Sequence, residues 1–536
     1  MALNLIRSSL LAGKASVGVR YSHHAAHKFS NALKSGGQTN VTELSNGIRV
    51  ATEQTNSPSA TVGVWIDSGC SSEPKELNGI THFIEHLLYR GSKNRAKKQL
   101  EKDMHGLGAI LNSHTQRDSS GFYMTLAPKD MAKAVEILAD LIQNPILNAD
   151  EIESTRKYIL NELNELESNY EQVTMDHLHS VAYQQTPLAQ SKYGPTANIE
   201  RFTKADIERG LDLVFKGPQM IVAASGPINH DEICKDSEKH MKNVTNIFEK
   251  NMIPGLTANR YTGSDIRVRD DSMPCAHVAI AVQGPGYSDP DFIAMDVAAS
   301  LMGRWDLTHG GGMNVSCYMG MVSNMDHLAQ SFQSFNLKYK DTALWGSYFV
   351  GERMQLEEFI WHLQTQWKRL CIEVANNEIR MGKNTLMTNL ICEREGSASN
   401  ANSIATDIMR FGRRITLEEW AERINRVNSA KIHSLGENFI WDRCPVVAAV
   451  GPVENLPLYE ELRMKIYIEI AREATAISSD KWPMQSISDI DWKMDSDGEV
   501  CVDWHPFGKS SISVHSSREN FDKKFFLDNR FVQQSD

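Results

Sequence analysis

Two periodicities alternate along the chain. Period-two alternation of apolar and polar residues marks Ile48-Arg49-Val50 and Ala60-Thr61-Val62-Gly63-Val64 as strands. Apolar residues at helical spacing mark residues 131–143, 149–170 and 356–374 as amphipathic helices. The pattern then repeats. Val222-Ala223-Ala224-Ser225-Gly226-Pro227 returns as Val447-Ala448-Ala449-Val450-Gly451-Pro452, and the two early strands return as Ile266-Arg267-Val268 and Ala276-His277-Val278-Ala279-Ile280. Three landmarks recurring in the same order imply an internal duplication. The expected architecture is α+β: two homologous units at 43–250 and 255–463, each with a sheet on one side and helices on the other, joined near 252–257.

Residues 1–42 differ from everything that follows. They contain no Asp or Glu but carry Arg7, Lys14, Arg20, Lys28 and Lys34 among serines, with Leu3, Ile6, Leu10 and Leu11 forming an apolar stripe. That is the composition of a mitochondrial transit peptide and predicts a matrix location. At the other end, 464–536 is Ser-rich with weak periodicity, and partial disorder is expected there.

With 56 Lys and Arg against 67 Asp and Glu, the net charge is −11, which argues against nucleic acid and suits a cationic partner. No apolar run approaches the roughly 18 residues of a membrane span. The eight cysteines form no CxxC pair and read as free thiols. Gly310-Gly311-Gly312 lacks the Lys and Ser/Thr of a phosphate loop.

The passage richest in chemistry is His82-Phe83-Ile84-Glu85-His86. On a helix, residues i and i+4 lie one turn apart on one face, so both imidazoles can reach one ion while Glu85 addresses a water beside it. Catalytic zinc takes a third protein ligand. Glu151, Glu153, Glu162, Glu165 and Glu167 on the acidic helix are all candidates, and helical geometry alone does not choose among them.

This pentad, with residues 79–91, 135–144, 193–199, 263–274, 310–314, 331–336 and 451–457, resembles the pitrilysin-type metallopeptidases with an inverted zinc motif. Within them the likeness is to the mitochondrial processing peptidases and the related core proteins of the cytochrome bc1 complex, over about residues 40–465. The resemblance implies one zinc ion on His82, His86 and Glu162, with Glu85 as general base. It implies an α-type processing-peptidase subunit as heterodimer partner and basic presequence peptides as substrates. The alternative it implies is a structural core subunit of respiratory complex III with weak or no peptidase activity. Substrate contacts fall on Tyr89, on Asn112 in an edge strand, and on Asp176 with the neighbouring Glu171. His114 is expected in the cleft wall rather than as a ligand. Two positions depart from the family pattern, because Thr155 and Gln172 stand where acids are usual. Residues 298–305, where a second motif would fall, contain neither His nor Glu, so the second half reads as an unarmed clamp.

Overall fold

A computed structural model describes residues 37–247, 259–309, 315, 317–465 and three strand segments between 492 and 517. The leader through residue 36, the link at 252–257 and the glycine-bearing 310–314 lie outside the described residues.

The first half folds as β1 (Thr39–Glu43), β2 (Arg49–Gln54), β3 (Ala60–Ile66), β4 (Ile110–Thr115), β5 (Ser120–Leu126) and β6 (Met220–Gly226). With them run helices α1 (Ile80–Leu88), α2 (Lys97–Leu107), α3 (Met131–Gln143), α4 (Ala149–Leu166), α5 (Tyr170–Ala182), α6 (Thr196–Arg201), α7 (Lys204–Val214) and α8 (His230–His240). The second half comprises β7 (Asp265–Arg269), β8 (Ala276–Gly284), β9 (Arg304–Asp306), β10 (Ser331–Lys338), β11 (Ala343–Gly351) and β12 (Val446–Gly451). Its helices are α9 (Phe292–Met302), α10 (Tyr318–Asp326), α11 (Leu356–Ile372), α12 (Asn376–Cys392), α13 (Ser397–Phe411), α14 (Leu417–Arg426) and α15 (Ser429–Phe439).

The strand orders are β1-β2-β6-β3-β5-β4 and β7-β12-β8-β11-β10-β9. In each sheet one pair is parallel, β2 with β6 and β7 with β12, and the remaining pairs are antiparallel. The duplication therefore extends to strand order. One correspondence read from the sequence shifts. Val222 faces Val50 while Val447 faces Asp265, so the ladders align Val50 with Asp265 rather than with Val268. In a parallel pair the hydrogen-bonded neighbour sets register, and the apolar lettering of a strand at the sheet's edge does not. Strand β1 also begins at Thr39, inside the stretch read as leader and linker.

Alternation along the strands decides what each face buries. Val50, Val62, Val64 and Val222 turn toward α3 and its neighbours in the main core of the first half. Ala51, Trp65, Ile221 and Ala223 turn the other way, onto Ala401, Ile404, Ala405 and Ile408 of α13, a helix of the second half. The reverse contact matches it: Leu178 and Ala182 of α5 cover Ala279, Ala281 and Val446 in the second sheet. Each half thus lends one helix to the other's sheet, so a sheet expected to have helices on one side has them on both. Each buried Leu or Ile in these contacts contributes about 1.5–3 kcal/mol.

Polar contacts fix the position of α13. Trp65 Nε1 donates to Asn402 Oδ1 at 2.9 Å, and Asn400 Nδ2 donates to Glu53 Oε1 at 3.1 Å and Ser225 Oγ at 2.9 Å. Buried Arg414 then donates to Asn400 Oδ1 at 2.8 Å and Asp407 Oδ2 at 2.9 Å.

The C-terminal unit, residues 468–536, contains an antiparallel sheet of β13 (Trp492–Met494), β14 (Glu499–Trp504) and β15 (Ile512–Ser517). Partial disorder was the expectation from its composition. Period-two stretches such as Val500-Cys501-Val502-Asp503-Trp504 explain the strands. No described helix is long and apolar enough to cross a membrane.

Candidate metal centre

Helix α1 is held at its start by a carboxylate to which the sequence pattern gives no role. Glu73, buried, accepts from the backbone N–H of Gly79 (2.7 Å) and of Thr81 (2.7 Å) and from Asn78 Nδ2 (3.0 Å). It satisfies donors that a helix N-terminus leaves open and matches the positive end of the helix dipole. Burial nonetheless pushes its carboxyl up to about 7, against the pull of those hydrogen bonds. Gly79 and Gly194 press together just before the helix. A Cβ on Gly194 would lie 2.5 Å from Gly79 Cα, and both residues have positive φ (97° and 77°). Two glycines here let the 193–199 segment cross directly over the first turn of α1.

The helical phase then does what the spacing predicts. His82 and His86 project from one face, with their Nε2 atoms 3.0 Å apart. Glu162 of α4 meets them, Oε2 lying 3.0 Å from His86 Nε2 and Oε1 3.9 Å from His82 Nε2. Among the described residues this is the one set of His, Cys, Asp or Glu whose donor atoms converge, all within 4.8 Å. Burial, with the neighbouring His86, pushes His82 down to about 3, so its imidazole is neutral. Burial alone would raise the Glu162 carboxyl, but His86, His82 and Lys192 hold it below its ordinary value. Glu162 Oε2 is buried and accepts no well-formed hydrogen bond from the described residues. Two converging imidazoles, a carboxylate held below its ordinary value and an oxygen without a well-formed hydrogen bond fit a divalent cation better than they fit one another.

Glu85 points elsewhere. Its Oε1 accepts from Ser113 Oγ at 2.7 Å and its Oε2 from Thr115 Oγ1 at 2.5 Å, so β4 holds it beside the cluster. Ser113 gives its proton to Glu85, and so its oxygen accepts from Tyr89 Oη at 2.9 Å. Tyr89 is therefore linked to Glu85 through Ser113. Ser113 and Thr115 are absent from the residues the sequence singles out; a hydroxyl at every second strand position facing a helix is the signal that could have found them.

Strand β4 is the outer strand of its sheet, and among the described residues no strand pairs with its outer side. Asn112 and His114 alternate with Ser113 and Thr115 and so face away from Glu85. His114 lies near Tyr123 (ring centroids 6.2 Å) on the side of Trp65 and α13. It takes no part in the cluster.

The remaining expected contacts are not assembled around the cluster. Asp176 is ion-paired to the partly buried Arg117, whose Nε also donates to Leu188 O at 3.3 Å. Glu171 is exposed in the first turn of α5. Neither carboxylate makes an ion pair or hydrogen bond with the ligand set. Gln172 Oε1 accepts from Tyr193 Oη at 2.6 Å. Thr155, fully buried seven residues before Glu162, accepts from Arg90 Nε at 3.3 Å.

Family models match two stretches: "Insulinase (Peptidase family M16)" over residues 49–196 and "Peptidase M16 inactive domain" over residues 201–386. The second match begins before β6, so the boundary between models precedes the boundary between sheets. Cytochrome b-c1 complex subunit 1, mitochondrial, of Mus musculus is 40% identical over 439 residues, 82% of this chain and 92% of that protein. Mitochondrial-processing peptidase subunit beta of Bos taurus is 40% identical over 425 residues, 79% of this chain and 86% of that protein. Among solved structures, a chain of complex III2 from Candida albicans superposes with TM-score 0.72 at 24% identity, covering 80% of this chain and all of that one. A protease from Helicobacter pylori superposes with TM-score 0.66 at 19% identity, covering 77% and 99%. At those identities the structures bear on the fold alone.

Proposed function

The chain belongs to peptidase family M16, and from that premise we propose that it is a zinc metalloendopeptidase of the mitochondrial processing type. It works beside an α-type processing-peptidase subunit and removes N-terminal presequences. The observation that carries this reading is the convergence of His82, His86 and Glu162, with Glu85 held apart beside them.

His82, His86 and Glu162 would hold the metal. A zinc ion bound there supplies Lewis acidity to a water and to the scissile carbonyl. The chain supplies the rest. An extended peptide pairs with the free edge of β4. Glu85 takes the proton of the attacking water and returns it to the leaving amine. Each of its oxygens accepts one hydroxyl hydrogen bond, from Ser113 and Thr115, and keeps a second lone pair for that proton. A net charge of −11 favours approach of basic peptides.

A second reading is favoured by three neighbouring positions: Thr155 and Gln172 are neutral, and Asp176 is already paired with Arg117. These suit a structural core subunit of respiratory complex III, on the matrix face of the inner membrane, with weak or no hydrolysis. Co-fractionation with inner-membrane cytochromes rather than with soluble matrix proteins is the outcome that supports it.

The test of the first reading is cleavage of a synthetic presequence peptide by the full chain co-purified with an α-type subunit. Cleavage that a chelator abolishes and zinc restores is expected. A zinc-loaded complex that leaves the peptide intact overturns the peptidase assignment.

A further inference from the structure

A histidine that binds a metal through Nε2 commonly has its ring fixed by a hydrogen bond from Nδ1–H to a carboxylate or carbonyl. His82 lacks that support. Its Nε2 faces His86 and Glu162, and its Nδ1 is buried with no hydrogen-bond partner among the described residues. Something else must prevent the ring from turning about its Cβ–Cγ bond, since α1 fixes only the backbone.

Two rings stand perpendicular to it. One belongs to His86, itself a ligand (centroids 4.6 Å, 83°). The other belongs to Tyr193, at 5.1 Å and 83°. Tyr193 is anchored at both ends. Its backbone runs into Gly194, locked against Gly79, while Asn78 Nδ2 donates to Ser191 O at 2.9 Å. Its hydroxyl donates to Gln172 Oε1 at 2.6 Å, and Gln172 lies in the first turn of α5, the helix that covers the second sheet. The ammonium of Lys192 lies 4.6 Å from the Tyr193 ring centroid.

We infer that Tyr193, held by Gln172, is a positioning residue for His82 and takes the place of the missing Nδ1 hydrogen bond. This rests on the reading of His82, His86 and Glu162 as metal ligands. It also accounts for Gln172, because an amide oxygen there receives the tyrosine hydroxyl without placing a negative charge against it. The link joins a ligand, through one aromatic ring, to a helix embedded in the other half of the protein.

The test measures Zn²⁺ affinity of the full-length chain by competition with a chromogenic chelator, and the visible spectrum with Co²⁺ in its place, neither of which needs turnover. Tyr193→Leu removes ring and hydroxyl and is expected to weaken Zn²⁺ binding about 10- to 100-fold, the range for losing an outer support of a metal ligand. Its Co²⁺ bands are expected to shift as His82 turns. Tyr193→Phe and Gln172→Ala each remove only the hydrogen bond. Each is expected to weaken binding about 2- to 10-fold, and the double variant by no more than either single one, because both break the same contact. The melting temperature of the metal-free protein separates positioning from misfolding. Should Tyr193→Leu fail to fold, the two milder variants and their non-additivity carry the test. A Tyr193→Leu protein with wild-type affinity and spectrum overturns the inference alone. Additive losses in the double variant overturn it as well. Wild-type chain that binds neither ion removes the metal-site reading and this inference with it.

Discussion

Helix α1 packs on α4 beside the outer strand β4, and helix α9 packs on α12 beside β10. The two halves thus build a cleft from three corresponding elements and fill it differently. In the first half His82, His86 and Glu162 close on one another. In the second, a cavity of about 690 Å³ remains, lined by Ala299 and Met302 of α9, Gln333 of β10, and Thr385 and Asn389 of α12. The edges differ too. Among the described residues no strand pairs with the outer side of β4, whereas residues 304–306 of the chain itself pair with 331–333 as β9. Duplication supplied the same scaffold twice, and His82, Glu85, His86 and Glu162 separate the proposed hydrolytic site from the half that has no such cluster among the described residues. Fold and function are thereby uncoupled within a single chain.

The largest effect that would sharpen this contrast comes from Glu85→Gln. Metal content is expected to stay at the wild-type level while presequence cleavage falls about 10²- to 10⁴-fold, the usual contribution of a positioned acid–base group. Equal kcat for the variant would remove Glu85 from the chemistry. Next comes Arg414→Ala, which leaves Glu53 buried without its ion-pair partner and Asp407 with only the longer pair to Arg394 at 3.8 Å, beneath the exchanged helix α13. Breaking such a pair costs about 3–5 kcal/mol, read as a lower urea midpoint, and a loss below about 1 kcal/mol would mean the two halves do not depend on that clamp.

A smaller effect is expected at Glu73, and its sign follows from burial. Its carboxyl is raised from 4.5 to about 7 in the fold, so the protonated form is the one folding favours. Its stabilising contribution is complete below about pH 4.5 and disappears as the pH rises through about 7. Wild type should therefore lose stability relative to Glu73→Gln between about pH 5 and about pH 8, measured as paired denaturation midpoints. Parallel pH profiles for the two proteins would contradict a raised carboxyl under α1.

What the sequence made legible was local or repeated. The spacing of His82 and His86 follows from helical pitch, and the internal duplication follows from three recurring landmarks. Glu162 was one of five acids on a helix until resemblance singled it out, because its phase relative to α1 depends on how two helices pack. Glu73 carries no signal, and Tyr193 is marked only as the first residue of the passage 193–199, with no role. One caps a helix from a loop, and the other reaches His82 from far along the chain only because Gly79 and Gly194 touch. The exchange of α5 and α13 escaped for a related reason: an amphipathic stripe says that a helix buries one face but not which sheet receives it.

The most direct test of the contrast between halves is the metal content of the purified full-length chain, wild type and Glu162→Ala, by mass spectrometry after dialysis. One zinc per wild-type chain, lost in the variant, is the expected result. Zinc that persists in Glu162→Ala, or a wild-type chain that binds none under saturating conditions, contradicts a metal centre in the first half.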